Sequence, residues 1–286
     1  MIMKKNLLKT SLLLFAISLF FVSCNEQPKT AENKGTNSMG QTATVEVGVF
    51  DAVKLKDQIV GIIKTAPAPV EVADFTNKVG VSYMSNLTVP TQNVEKYLTA
   101  VDQSLAMGMY KFDLFYAKAY NRKDVVQQLL AVQKNLGKKL GMEAELAKMN
   151  KFDDRIKKNE NNTDSLNAIV MAMMNEVGAS LAAGDHPGIY ALSYVGANIE
   201  AMYILTQVAL MSKNNTPLVN FLGQQKERTK ANYSLLEMTA ADAAVAPIFE
   251  KMKPIMDIFN NNQTFTSKQL AEMAPLVASL RAGIVK

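Results

Sequence analysis

Apolar residues recur at helical spacing from about residue 51 to the C-terminus, and this pattern constrains the fold most. In the last segment Leu270, Met273, Val277, Leu280 and Ile284 follow one another at steps of three or four residues, so they share one helix face. No segment shows the alternation of a half-buried strand. The chain is rich in Ala, Leu and Met, with only 14 Gly and 9 Pro in 286 residues, which also favours helices.

Capping residues and loop-forming residues divide this region into nine or ten predicted helices. Thr91 is the predicted N-cap of a long third helix, and Thr266 with Gln269 forms a capping box before the last one. The helices before that box are predicted over 54–64, 70–86, 91–121, 122–140, 143–158, 163–183, 189–212, 217–239 and 242–259.

Helices joined by short loops predict an all-α fold, an antiparallel helical bundle or two packed sub-bundles. The chain is 48% hydrophobic, which is ample for a buried core in a protein of this length. A regular solenoid is less favoured, because no 34-residue tetratricopeptide period is present.

The first 23 residues have the pattern of a signal peptide. Lys4, Lys5 and Lys9 precede the apolar run 11–22, which is shorter than the roughly 20 residues that a membrane-spanning helix needs. Without these lysines the excess of basic residues falls from five to two. The formal charge therefore does not indicate a nucleic-acid surface.

Cys24 is the only cysteine and follows Phe-Val-Ser at 21–23. This resembles the bacterial lipobox, which implies cleavage before Cys24 and lipidation of its thiol. The alternative is an ordinary signal peptide that happens to contain a cysteine. Two or three acyl chains would hold the protein firmly at a membrane, and a lone cysteine allows no disulfide within the chain.

The expected domains are a signal peptide (1–23), a lipidated cysteine with a disordered polar tether (24–48) and a helical domain (49–286). Asn25 and Glu26 follow the cysteine without the aspartate that retains lipoproteins at the inner membrane of enteric bacteria. We therefore expect a lipid-anchored protein of the cell envelope, with the outer membrane favoured, on its periplasmic or surface face.

The sequence contains no recognisable catalytic or metal-binding set. His186 is the only histidine and lies in the Gly-Asp-His-Pro-Gly break at 184–188, where it is expected to act as a loop or cap residue. No nucleophile elbow, phosphate loop, zinc-protease motif or EF-hand occurs. We therefore expect no catalytic residues, no metal, no cofactor and no enzyme activity.

Two apolar helices each carry an isolated acid, Asp113 and Glu200, three residues before a tyrosine. A buried carboxylate is costly unless it is paired or hydrogen-bonded. One interpretation is a structural network inside the bundle, and the other is a polar pocket between helices. The residues of this predicted pocket are Asp113, Tyr116, Glu200, Tyr203, Tyr110 and Asn198.

Several stretches resemble a family of helical lipoproteins from Bacteroidota whose activity is uncharacterised. They are 64–71, Tyr97, 108–114, Tyr116, Phe152-Asp153, 164–166 and 196–203, and they include Gly-x4-Asp-x2-Tyr and Gly-x3-Glu-x2-Tyr. The resemblance implies an all-helical envelope protein and no particular substrate. Both acids belong to the matching stretches, and Asn198 stands where members of that family often have tryptophan.

The sequence favours a tethered helical domain that binds a small ligand or an envelope protein, in addition to its membrane contact through the lipid. No nucleic-acid partner is expected. One alternative is a structural or assembly lipoprotein without a ligand. Another is an enzyme that uses carboxylate and tyrosine groups, with Glu200 as base.

Overall fold

The computed structural model describes residues 52–184 and 186–286, with side chains from residue 55 onward. These residues form twelve α-helices and two short 3-10 helices, Ser85–Leu87 and Thr91–Lys96, and contain no strand. The α-helices are α1 (Ala52–Thr65), α2 (Val70–Lys78), α3 (Ala100–Ala119), α4 (Lys123–Lys139), α5 (Glu143–Asn150), α6 (Asp153–Lys158), α7 (Thr163–Ala183), α8 (Pro187–Met211), α9 (Thr216–Gly223), α10 (Lys226–Thr239), α11 (Ala246–Asn261) and α12 (Ser267–Ala282). The predicted all-α class is confirmed. The predicted signal peptide, Cys24 and the tether lie outside the described residues.

Helices α3 and α8 form the centre of the protein. Of the 25 residues of α8, 20 are buried, and 15 of the 20 residues of α3 are buried. A helix that is apolar on every side has to be enclosed by other helices. Helices α2 and α4 pack on α3, whereas α1, α7, α9, α10 and α12 pack on α8.

Two glycines allow α3 and α8 to touch through their backbones. A Cβ atom on Gly108 of α3 would overlap the carbonyl oxygen of Ser193 and lie 2.7 Å from the amide nitrogen of Ala197. A Cβ atom on Gly196 of α8 would overlap the carbonyl oxygen of Leu105. The space that a side chain would need is therefore taken by the facing helix.

The helix number exceeds the predicted nine or ten because two predicted helices are broken. The predicted helix 143–158 divides at Lys151-Phe152, and 217–239 divides at Gln224-Gln225. The predicted helix 70–86 ends early, at Lys78, and Gly80 follows with a positive φ of 79°. Apolar periodicity continues across these breaks, so the pattern alone does not reveal them.

The predicted N-cap of the third helix, Thr91, is wrong. Thr91 begins a 3-10 helix, and α3 begins at Ala100, where the Thr99 hydroxyl accepts a hydrogen bond of 3.0 Å from the amide of Asp102. Either threonine satisfies the sequence preference for an N-cap. The capping box of Thr266 and Gln269 is confirmed at the start of α12.

Among the described helices, only α7 is long and apolar enough to cross a membrane by length and composition. The most apolar stretch of 18 residues in α7 has a mean hydropathy of 1.3, and 44% of that stretch is buried inside the protein. Core helices of globular proteins pass the same test. Since α7 also packs against α5, α6 and α8, the finding is weak evidence for a membrane span.

We predict that Gly108→Ala destabilises the protein by about 3 kcal/mol or more, because the added methyl group forces the α3 and α8 backbones apart. Gly61 in α1 is the matched control, since a Cβ atom there has no neighbour within 4 Å. Gly61→Ala should instead gain up to about 1 kcal/mol of helix propensity. Urea unfolding followed by circular dichroism measures both values, and equal stability of the two variants would contradict the close contact.

Candidate functional site

Glu200 and Arg281 form a buried ion pair between α8 and α12. Nε and Nη2 of Arg281 each donate a hydrogen bond of 2.7 Å to a different carboxylate oxygen of Glu200. The Glu200 side chain is fully buried and that of Arg281 is 13% exposed. The guanidinium also lies 4.2 Å from the ring centroid of Tyr203, a cation–π contact. Arg281 thus supplies the pairing that makes a buried Glu200 tolerable.

Asp113 is the second acid of this cluster. Its Oδ2 atom accepts a hydrogen bond of 2.9 Å from the amide of Val89, while Oδ1 is buried without a hydrogen-bond partner among the described residues. Burial, and then repulsion from Glu200, raise the pKa of Asp113 well above its ordinary value. One guanidinium cannot balance two carboxylates, which favours a protonated Asp113 and a neutral cluster.

Asp113, Tyr110 and Tyr116 of the predicted pocket, together with Arg281, anchor an irregular segment, residues 84–90, to the core. Four of its backbone groups bond to buried side chains. The amides of Met84 and Val89 donate to Tyr116 Oη (3.2 Å) and Asp113 Oδ2 (2.9 Å), and the carbonyls of Leu87 and Pro90 accept from Arg281 Nη2 (3.0 Å) and Tyr110 Oη (2.9 Å). Backbone groups outside regular helices need such partners when they are buried.

The structure brings Asp113, Glu200 and Tyr203 together around Arg281, but the other predicted residues have separate contacts. The Tyr116 ring lies 5.0 Å from that of Tyr83 and also 5.0 Å from that of Tyr120. Asn198 donates a hydrogen bond of 2.9 Å to the carbonyl of Tyr194, and its Oδ1 has no partner among the described residues. These contacts fit the structural interpretation of the two acids.

A cavity of about 260 Å³ lies beside the contact of α3 with α8. Its walls come from α1, α2, the turn between them, α3, α7 and α8. They are mainly apolar, with Ile63, Phe115, Met171 and Met174 among them. Small-molecule sites are concave and apolar with few polar groups. This cavity has that character, and neither Asp113 nor Glu200 lines it.

Among the described residues that line the cavity, Lys111 is the only charged one. It lies one turn after Gly108 on α3, and its Nζ is 5.9 Å from the ring centroid of Phe115. No carboxylate of the described residues pairs with it, and burial lowers the pKa of its amine. An ammonium group in an apolar wall loses hydration without gaining a counter-ion.

Arg228 holds one wall of the cavity in place. Its side chain, only 2% exposed, donates from Nε to the carbonyl of Pro67 (3.3 Å) and from Nη2 to that of Ala68 (2.8 Å). Tyr194 donates to the same Pro67 carbonyl at 3.2 Å, and burial raises its pKa to about 12, so its hydroxyl keeps the proton. The turn between α1 and α2 is therefore fixed by α8 and α10.

Sequence reasoning missed three residues that the structure makes important, Lys111, Arg228 and Arg281. A signal was present for Lys111, since it is the only basic residue between Lys96 and Lys118, in the same apolar helix as Asp113. No local signal marks the arginines. Arg281 lies 81 residues after Glu200, in a helix with an exposed face.

No group of three or more His, Cys, Asp or Glu side chains suited to a metal ion occurs in the part of the chain that the structure describes. Comparison with protein-family models, with curated proteins and with solved structures finds no match for this chain. The chemistry of the cavity and of the ion cluster is therefore the basis for a proposed function.

We predict that Asp113→Asn becomes more stable relative to the wild type as the pH rises from 4 to 8. The raised pKa means that native Asp113 keeps a proton that the unfolded chain releases above about pH 3.9. Wild-type stability therefore falls with pH, by at most about 1.4 kcal/mol per unit, until the native group also ionises. The asparagine amide replaces the protonated carboxyl and does not titrate.

Urea unfolding at several pH values measures this difference. Asp74→Asn is the control for the loss of one carboxylate, because Asp74 is exposed on α2. A constant difference between Asp113→Asn and the wild type across this range would mean that Asp113 is ionised in the folded protein.

Proposed function

We propose that this protein is a lipid-anchored envelope protein whose helical body binds a small, largely apolar ligand in the cavity beside Lys111. The observation that carries the proposal is the cavity itself, lined by parts of α1, α2, α3, α7 and α8 and the turn between α1 and α2, with one charged side chain among the described residues of its apolar lining. The proposal agrees with the ligand-binding lipoprotein expected from the sequence, but it places the ligand in the cavity and not at the cluster of Asp113 and Glu200.

The proposed role is binding rather than catalysis. Glu200 is paired with Arg281 through both oxygens, and Asp113 and Arg281 each bond to the 84–90 segment, which favours a structural role over that of a general base. For the finer architecture we propose that neighbouring helices run antiparallel, in one bundle or in two packed sub-bundles. Helices joined by short loops are expected to pack in this way.

Anchoring is proposed through Cys24. Its acyl chains would hold the protein at the outer membrane, and residues 25–48 would form a polar tether to the helical body. The partners are then the membrane and a small ligand or an envelope protein that delivers or receives it. The resemblance to helical lipoproteins of Bacteroidota supports this location.

We predict that Cys24→Ser moves the protein from the membrane fraction to the soluble fraction, because a hydroxyl group accepts no thioether lipid. Mass spectrometry of the N-terminal peptide should find a diacylglyceryl group on the wild type and none on the variant. Asn25→Ser is the control and should keep both the lipid and the membrane location. Membrane-bound, unmodified Cys24→Ser protein would contradict the proposed anchor.

A second prediction tests the ligand. Gly178 of α7 lines the cavity, and a Cβ atom there has no neighbour within 4 Å. Gly178→Phe should therefore fill the cavity while the fold is kept. Gly61→Phe, at an equally open glycine of α1 outside the cavity lining, is the matched control.

Native mass spectrometry of protein purified from its own membranes is the measurement. We expect a copurifying small molecule with the wild type and Gly61→Phe, and none with Gly178→Phe. Wild-type protein that is empty, and that binds none of a panel of small amphiphiles, would favour the structural or assembly role instead.

A further inference from the structure

We propose that the ligand of the Lys111 cavity is a small amphiphile with one carboxylate, whose charge pairs with the Lys111 amine and whose apolar tail fills the space between α3, α7 and α8. The inference rests on the proposed ligand-binding function and adds the chemical class of the ligand. Three observations support it: the single charge of the described lining, the absence of a carboxylate partner for that charge in the described part of the chain, and the size of the cavity.

The charge of the lining selects an anion. Lys111 carries the only basic or acidic side chain among the lining residues that the structure describes, so a bound cation would be repelled and a neutral ligand would leave the ammonium unpaired. A ligand with two negative charges would bring one charge more than the lining balances. A monocarboxylate leaves the filled cavity neutral, and its charge-assisted hydrogen bond with an amine is strong in apolar surroundings.

No carboxylate of the described residues occupies the position beside the Lys111 amine. Asp113, two residues from Lys111, is directed to Val89 and the Arg281 cluster, and Glu200 is bound to Arg281 through both oxygens. Lys111 pairs with no other carboxylate in residues 55–184 and 186–286. The helix places Asp113 on a different face from Lys111, so the Lys111 amine is available to the carboxylate of a bound ligand.

The remaining lining suits an amphiphile. Phe115, Met171 and Met174 provide flexible or flat apolar surface for a tail. Tyr190 and Ser193 also line the cavity, and their hydroxyl groups can serve the second carboxylate oxygen. A volume of 260 Å³ equals that of roughly nine water molecules, which corresponds to an acid of about six to eight carbons.

Octanoate, 1-octanol and octylamine are the probes, since they share a tail and differ in the head group. Isothermal titration calorimetry of the full protein should show octanoate binding tightest, octanol roughly 10- to 100-fold weaker because the charged hydrogen bond is lost, and octylamine weakest. This comparison uses the wild-type protein, so it does not depend on whether any variant folds.

Lys111→Met keeps the length and the apolar stem of the side chain and removes its charge. This variant should bind octanoate roughly 10- to 100-fold more weakly than the wild type, and its affinity for octanol should change by less than about twofold. Lys118→Met is the matched control, because Lys118 lies on the same helix, is similarly half-buried and does not line the cavity. It should change neither affinity.

The outcomes separate the two proposals. If octanoate and octanol bind equally well and Gly178→Phe abolishes both, the cavity binds ligands and the carboxylate inference is wrong. If Lys111→Met and Lys118→Met weaken octanoate binding equally, the proposed pairing of the carboxylate with Lys111 is wrong. If no probe binds and the natively purified protein is empty, the proposed ligand-binding function itself fails.

Discussion

The backbone contact of α3 with α8 is the constraint on which the rest of this structure depends. Gly108 and Gly196 each face backbone atoms of the other helix, so the two helices lie closer than side chains would allow. Close approach increases the dispersion contacts between them. It also fixes the rotation of both helices about their axes, and that rotation decides which side chains face each neighbouring helix.

From this contact the polar side chains separate into two environments. Asp113 follows Gly108 by five residues and Glu200 follows Gly196 by four, and both reach the buried cluster around Arg281. Lys111 follows Gly108 by three residues and lines the cavity instead. The acids and the base of these two helices are thus kept apart, as expected for Lys111 and Asp113, which are two residues apart and lie on different faces of α3.

Much of the fold could be predicted from the sequence because helical periodicity and caps are local properties. The capping box of Thr266 with Gln269 and the break before Pro187 needed only a few neighbouring residues. The N-cap prediction for Thr91 was wrong because Thr99 is an equally suitable residue and is the one that caps α3. The choice between the two threonines depends on how the segment 84–99 packs. Local signals therefore predict that a helix exists better than where it begins.

The candidate site was less predictable, because its partners are distant in the sequence. An isolated acid in an apolar helix correctly indicated that Asp113 and Glu200 are buried, but pairing with Arg281 depends on how α12 packs on α8. The same reasoning applied to bases would have selected Lys111. Glu200 is paired with Arg281 through both carboxylate oxygens, whereas the half-buried Lys111 has no carboxylate partner among the described residues and so lacks a counter-charge. We therefore place the proposed ligand at Lys111, beside the cavity, rather than at the acid cluster.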